Sequence, residues 1–265
     1  MPLTFCHPLA VLPLWRFCPA WLNFPALVIG SMSPDFGYYV GRFPMASFAH
    51  TAVGTFVVCV PTGMLLLGIV YTLWRPLCFM LPQPHRVALL SLPQMKMPRI
   101  NLRGALVAAL SILLGAWTHT IWDSFTHSTG WAVMHISVLQ LPLIELGNTT
   151  LHAPYLLQQL STLVGSAILI ASYIAWLRQQ SVVNATQTHS SDRFRYWMIA
   201  IIAILALTFS LPIAAEMASQ FDGYMAFRVF IFRSCVYGAT AFTALYSISA
   251  ITIHIILYKR INAKS

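Results

Sequence analysis

From Thr118 to His127 the sequence reads Thr-His-Thr-Ile-Trp-Asp-Ser-Phe-Thr-His, so imidazole, carboxylate and imidazole recur every four residues. On a helix, side chains four apart share one face. Imidazole nitrogen and carboxylate oxygen are the ligands that zinc and similar ions take at about 2.0–2.2 Å, and a His and an Asp four apart can reach one ion. His119 and Asp123 suit a single metal. His127 stands eight residues from His119, about 12 Å along a helix at 1.5 Å per residue. It joins them only if the helix ends, and otherwise reads as a second-ion or outer residue.

The stripe closes an apolar run, and its surroundings say what must position it. The chain is 58% hydrophobic and 8% charged, with a mean hydropathy of +0.73. That leaves too few polar side chains to cover a soluble domain of 265 residues. Five runs reach the roughly 20 apolar residues a bilayer needs: Thr51–Trp74, Gly104–Trp122, Ala153–Leu177, Tyr196–Ala215 and Ser234–Tyr258. The expected class is therefore an all-α polytopic membrane protein of about five transmembrane helices, with residues 1–265 forming one membrane domain. Prolines 8, 13, 19 and 25 and Arg16 break the apolar N-terminus, which predicts short helices in a re-entrant or interfacial segment rather than a span. That segment has no basic n-region and is not expected to be a cleaved signal. Ser33-Pro34-Asp35 reads as a turn or helix start with the carboxylate near its N-cap.

Orientation follows from the basic residues. Arg75, Arg86, Lys96, Arg99 and Arg103 lie between the first two runs, Arg178, Arg193 and Arg195 between the third and fourth, and Lys259, Arg260 and Lys264 in the tail. The positive-inside rule makes that side cytoplasmic, with the C-terminus inside and the N-terminal segment outside. The net charge of +9 is thereby explained by topology, and nucleic acid is not an expected partner. On this orientation His7, Asp35, His50, His119, Asp123 and His127 all fall in one layer at the outer face. Histidines 85, 135, 152, 189 and 254 do not share it. Ionisable residues at membrane depth are functional by default, although each alone has a plain reading: a cap for Asp35, an interfacial polar residue for a lone His, a polar helix lining for the stripe.

The expected ligands are Asp35, His50, His119 and Asp123 around one divalent ion, zinc by ligand type. His7 or His127 is the expected acid/base or second-ion residue. Such a site lowers the pKa of bound water to about 7 and polarises a phosphoryl or carbonyl oxygen. Ser124–His152, without Lys or Arg, is long enough for a lid over this layer, or is a passive connector. The five cysteines form no C-x-x-C pair; Cys6 and Cys18 read as small buried residues rather than a disulfide. The glycosylation triplets at Asn148 and Asn184 carry no weight.

These residues resemble a family of small bacterial integral membrane proteins, domain-of-unknown-function family 4184. The matching pieces are Met1-Pro2-Leu3-Thr4 with His7-Pro8, Gly30-Ser31-Met32-Ser33-Pro34-Asp35, His50 before a Pro61-containing span, Gly115 through His119, Asp123, Thr126-His127 and Gly130-Trp131, and Gln158-x-x-Ser161-x-x-x-Gly165. They span residues 1–165; residues 166–265 carry little beyond membrane helices. More distantly the pattern resembles predicted membrane-bound metal-dependent hydrolases and the zinc-dependent phospholipase C and single-strand nuclease superfamily. At His7, Asp35, His50, His119 and Asp123 it matches that superfamily residue by residue. The superfamily's H-x3-E pair is missing, since Glu145, His135 and His152 are not at that spacing, so a trinuclear site is not expected. The leading expectation, read from the ligand layer, is a bacterial inner-membrane protein that hydrolyses a lipid-linked or membrane-proximal phosphoester with metal-activated water; the family of unknown function transfers no activity of its own. The alternative is a non-catalytic protein with a structural metal, or an ion or proton path. An inverted-repeat transporter finds no support, because the halves show no corresponding broken spans.

Overall fold

The structure is a computed structural model that describes residues 4–96, 101–146, 149–181 and 190–262. Arg99, His189, Lys264 and the Asn184 triplet lie outside the described residues, as do Met1–Leu3, Asn148 and the side chain of Glu145. Five helices are long and apolar enough to cross a membrane: Ala52–Phe79, Leu102–Thr126, Ala153–Gln180, Asp192–Ala218 and Gly223–Ile256. The chain is thus an α-helical, multi-pass membrane protein. These helices belong to α3 (Ala52–Phe79), α4 (Leu102–Thr126), α6 (Ala153–Ser181), α7 (Ser190–Ala218) and α8 (Gly223–Asn262). The fifth begins eleven residues earlier than the apolar run suggests, taking Arg228 and Arg233 into the helix; Arg233 donates to the Tyr237 hydroxyl at 2.9 Å and so finds a partner one turn on.

Ahead of the first span come 3-10 turns at Thr4–Ala10 and Leu12–Trp15, then α1 (Phe24–Met32) and α2 (Phe43–Ala49). The broken N-terminus is short helices, as its prolines dictate. Asn23 starts α1 by accepting from the Ala26 N–H, with Pro25 in the first turn where its missing donor costs nothing. Gly41, at φ +70°, supplies the left-handed residue that turns the chain into α2.

The chain divides into two compact units: residues 1–68 with 98–174, and residues 69–97 with 175–265. In the first, α1 lies against α4 with two glycines at the crossing. A Cβ on Gly30 would collide with the Ile112 backbone, and one on Gly115 with the Leu27 carbonyl and Ser31 N–H. Small residues let membrane helices approach this closely. Ala49, Cys59 and Ala116 form a buried cluster that seats the end of α2 against α3 and α4. The segment following α4 is not structureless: α5 (Trp131–His135), a 3-10 turn at Ser137–Gln140 and a small antiparallel hairpin of β1 (Pro142–Leu146) and β2 (Thr149–His152) lead into α6. In the second unit α7 packs along α8, and Asp192 and Arg195 are buried beside the Phe79 carbonyl.

Candidate metal centre

α4 presents His119 and Asp123 one turn apart on its buried face, with Nε2 3.3 Å from Asp123 Oδ2. The helix stops at Thr126, and His127 follows with extended dihedrals of −114° and 135°. Its ring therefore folds back, placing Nδ1 3.6 Å from Asp123 Oδ2. Helix termination, the condition that spacing alone left open, is met. His50 is the residue that ends α2, and Asp35 closes the buried 3-10 turn Ser33–Asp35. Although Asp35 stands at a helix start, its carboxylate makes no cap; Oδ2 accepts from the Thr4 hydroxyl at 2.7 Å and Oδ1 faces His50 and His119.

The ring nitrogens show what the cluster lacks. His119 Nδ1 lies 2.8 Å from the Ser31 carbonyl, and His50 Nδ1 lies 2.8 Å from the Ala46 carbonyl. A carbonyl only accepts, so each Nδ1 carries a proton and each Nε2 is turned inward to the carboxylates. Those two nitrogens are 3.2 Å apart. Asp35 Oδ1 completes a triangle with them at 3.4 and 3.6 Å, and Asp123 Oδ2 a second triangle on the same edge at 3.6 and 3.3 Å. Charge-assisted N–H···O bonds run about 2.7–2.9 Å. Atoms bound tetrahedrally to one ion at about 2.0–2.2 Å stand about 3.3–3.6 Å apart. The spacing is that of metal ligands, and both triangles could hold a divalent ion.

Residues 1–258 match the family described as Domain of unknown function (DUF4184). The chain belongs to that family. The match extends well past residue 165, where the quoted motifs end, so the last two spans are part of the family's pattern. No curated protein and no solved structure matches the chain.

In this DUF4184 protein His7 is the sixth member of the cluster. Its ring stacks on His119 with centroids 3.5 Å apart, and its buried Nε2 has no hydrogen-bond partner among the described residues. That nitrogen lies 3.7 Å from Asp123 Oδ1, and His7, His119 and Asp123 form a second group able to hold an ion. Burial, then the neighbouring His119, push His7 down to about 3, so the imidazole is neutral. For His50 burial opposes charge, but hydrogen bonds to Asp123 and Asp35 outweigh it and raise the ring to about 10. Without a cation, the cluster fills its deficit with a proton there. Asp35 is held well below the usual carboxylate range: burial works against this, and His119 and His50 overcome it.

Exposure is uneven. His119 is fully buried, the Asp35 and Asp123 side chains are 9% exposed, His50 24% and His127 43%. His50 and His127 thus mark the open edge. All six residues singled out in the sequence are in one place. The supporting groups were not foreseen: the Thr4 hydroxyl, the Ser31 and Ala46 carbonyls, and Gln158 of α6, whose amide meets His127 Nε2 at 3.3 Å. Cys6, a free thiol, sets His7 in place by reaching the Thr162 carbonyl at 3.5 Å and the Ser166 hydroxyl at 3.0 Å; Cys18 is likewise unpaired with it. Among the described residues, His85, His135, His152 and His254 join no such group.

Proposed function

We propose that the cluster binds a divalent metal, zinc by its nitrogen and oxygen ligands, and that the chain is a membrane-bound metal-dependent hydrolase of lipid-linked or membrane-proximal phosphoesters. The observation that carries this reading is the pair of Nε2 atoms, His50 and His119, 3.2 Å apart and each 3.3–3.6 Å from two carboxylate oxygens. Asp35, His50, His119 and Asp123 are the ligands. Each triangle has three protein atoms, the number that leaves a tetrahedral ion one position for water or substrate. When bound, the metal supplies Lewis acidity and a water whose pKa falls to about 7. His7 offers Nε2 towards Asp123 Oδ1 and serves a second ion. His127, at the exposed edge, is the group that takes or gives a proton as the phosphoester bond breaks. The distribution of basic residues supports a place in a bacterial inner membrane with this edge outside and the C-terminus cytoplasmic.

Burial of His7, His119, Asp35 and Asp123 favours a second reading, a structural metal site without catalysis. Elemental analysis of the detergent-purified protein tests both: about one zinc or manganese per chain, lost in His119→Ala, is expected. Metal content untouched by that substitution would overturn them together. Cobalt substitution then separates them. A visible spectrum that shifts when inorganic phosphate is added shows an open coordination position and supports the hydrolase; a spectrum indifferent to phosphate leaves the structural reading.

A further inference from the structure

The segment that joins α4 to α6 shows large apolar side chains outward. Trp131 is 70% exposed, Met134 62%, Val138 66%, Leu141 53% and Leu143 54%, while Ala132 and Val133 between them are buried. Its polar side chains Gln140, His135 and His152 are exposed too, but they bond to the segment's own carbonyls. Gln140 donates to the Val133 carbonyl at 2.8 Å and the Met134 carbonyl at 3.2 Å. The rings of His135 and His152 lie 2.8 and 3.1 Å from the carbonyls of Trp131 and Gln140. Carbonyls satisfied within the segment suit an apolar surrounding. Over residues 124–152 the sequence has one charged residue, Glu145, and no cation, whereas residues 75–103 at the opposite ends of α3 and α4 hold five.

Both ends of the segment are fixed at membrane-crossing helices, since α4 stops at Thr126 and α6 starts at Ala153. A bilayer surface is therefore always within its reach, and a protein partner is not needed to cover it. We propose that residues 131–143 lie in the membrane–water interface on the metal-cluster side, with Trp131, Met134 and Val138 seated among lipid headgroups and upper acyl chains. The segment is then an apron resting on lipid beside His127 rather than a lid in water. This placement goes beyond the hydrolase reading and stands whether or not the cluster binds metal.

Photo-crosslinking of the full chain in phosphatidylethanolamine/phosphatidylglycerol vesicles tests it. Met134→p-benzoylphenylalanine and Val138→p-benzoylphenylalanine are compared with the same replacement at Leu163, an exposed position within α6. Lipid adducts at both positions, within about twofold of the Leu163 yield, are expected for interfacial depth. Adducts to a second copy of the chain, or no lipid adduct where Leu163 gives one, would overturn the proposal. His119→Ala in the same background leaves the adducts unchanged, which separates this placement from the fate of the metal reading.

Discussion

Asp192 and Arg195 in the second unit, and the histidine–aspartate cluster in the first, are both buried and ionisable, but they space their polar atoms differently. Arg195 Nε donates to the Phe79 carbonyl at 3.0 Å, Nη1 faces Asp192 Oδ1 at 3.4 Å, and the guanidinium lies 5.1 Å from the Phe79 ring centre. The other Asp192 oxygen accepts from the Gln83 N–H at 3.2 Å. Every charge there is answered by the chain, as a buried pair requires. In the cluster, two imidazole nitrogens and two carboxylate oxygens stand 3.2–3.6 Å apart, the spacing of atoms around one ion. The two sites differ in the spacing of their polar atoms rather than in burial or charge.

The sharpest way to break this contrast is Asp123→Asn, which removes the one carboxylate of the His7–His119–Asp123 group and the oxygen 3.3–3.6 Å from His119 and His50. Metal affinity should fall by more than about a hundredfold, read by competition with a chelator dye. Wild-type affinity would place Asp123 with Asp192 as mere structure. Thr4→Val comes next. Its hydroxyl occupies Asp35 Oδ2 and so leaves Oδ1 for the histidines; losing it should cost about 10–100-fold in affinity, with Thr4→Ser recovering most of that.

Acidity sharpens the comparison further. His50, raised to about 10 without metal, must lose one proton when an ion binds, while His7, lowered to about 3, has none to lose. Affinity should therefore rise at least about tenfold per pH unit between pH 7 and about 10, with at least one proton released per ion in calorimetry across buffers. The same raised value stabilises the metal-free protein below its ordinary 6.5, and that stabilisation is lost as pH rises through about 10. A flat affinity profile would mean the ring is neutral before binding. The smallest effect on metal belongs to Arg195→Met. Metal content should not change, and unfolding in detergent should show a loss of about 1–3 kcal/mol from a buried carboxylate left half answered.

Much of this was readable in the sequence, for identifiable reasons. The spans were visible because lipid imposes length and apolarity, and His119 with Asp123 because helical periodicity puts i and i+4 together. Counting basic residues brought His7, Asp35 and His50 to the same end as those two. What could not be read were contacts between residues far apart in the chain that leave no local pattern. The carbonyls of Ser31 and Ala46 belong to every sequence alike, so nothing marks them as the groups that fix two tautomers. Thr4 and Gln158 appear among the family motifs without a role until their atoms are seen beside Asp35 and His127. The segment after α4 was legible as free of Lys and Arg, but its hairpin and the bonds of Gln140 to the Val133 and Met134 carbonyls were not.

The glycine crossing of α1 and α4 bears on when the protein matures. His119 gains its Ser31 partner only once α1 has settled against α4 at Gly30 and Gly115, so the ring has no fixed tautomer in a nascent chain whose helices are inserted but not yet docked. On the proposed metal reading, an ion would load only after that docking step. A methyl group at either glycine would stall that step while leaving membrane insertion itself intact.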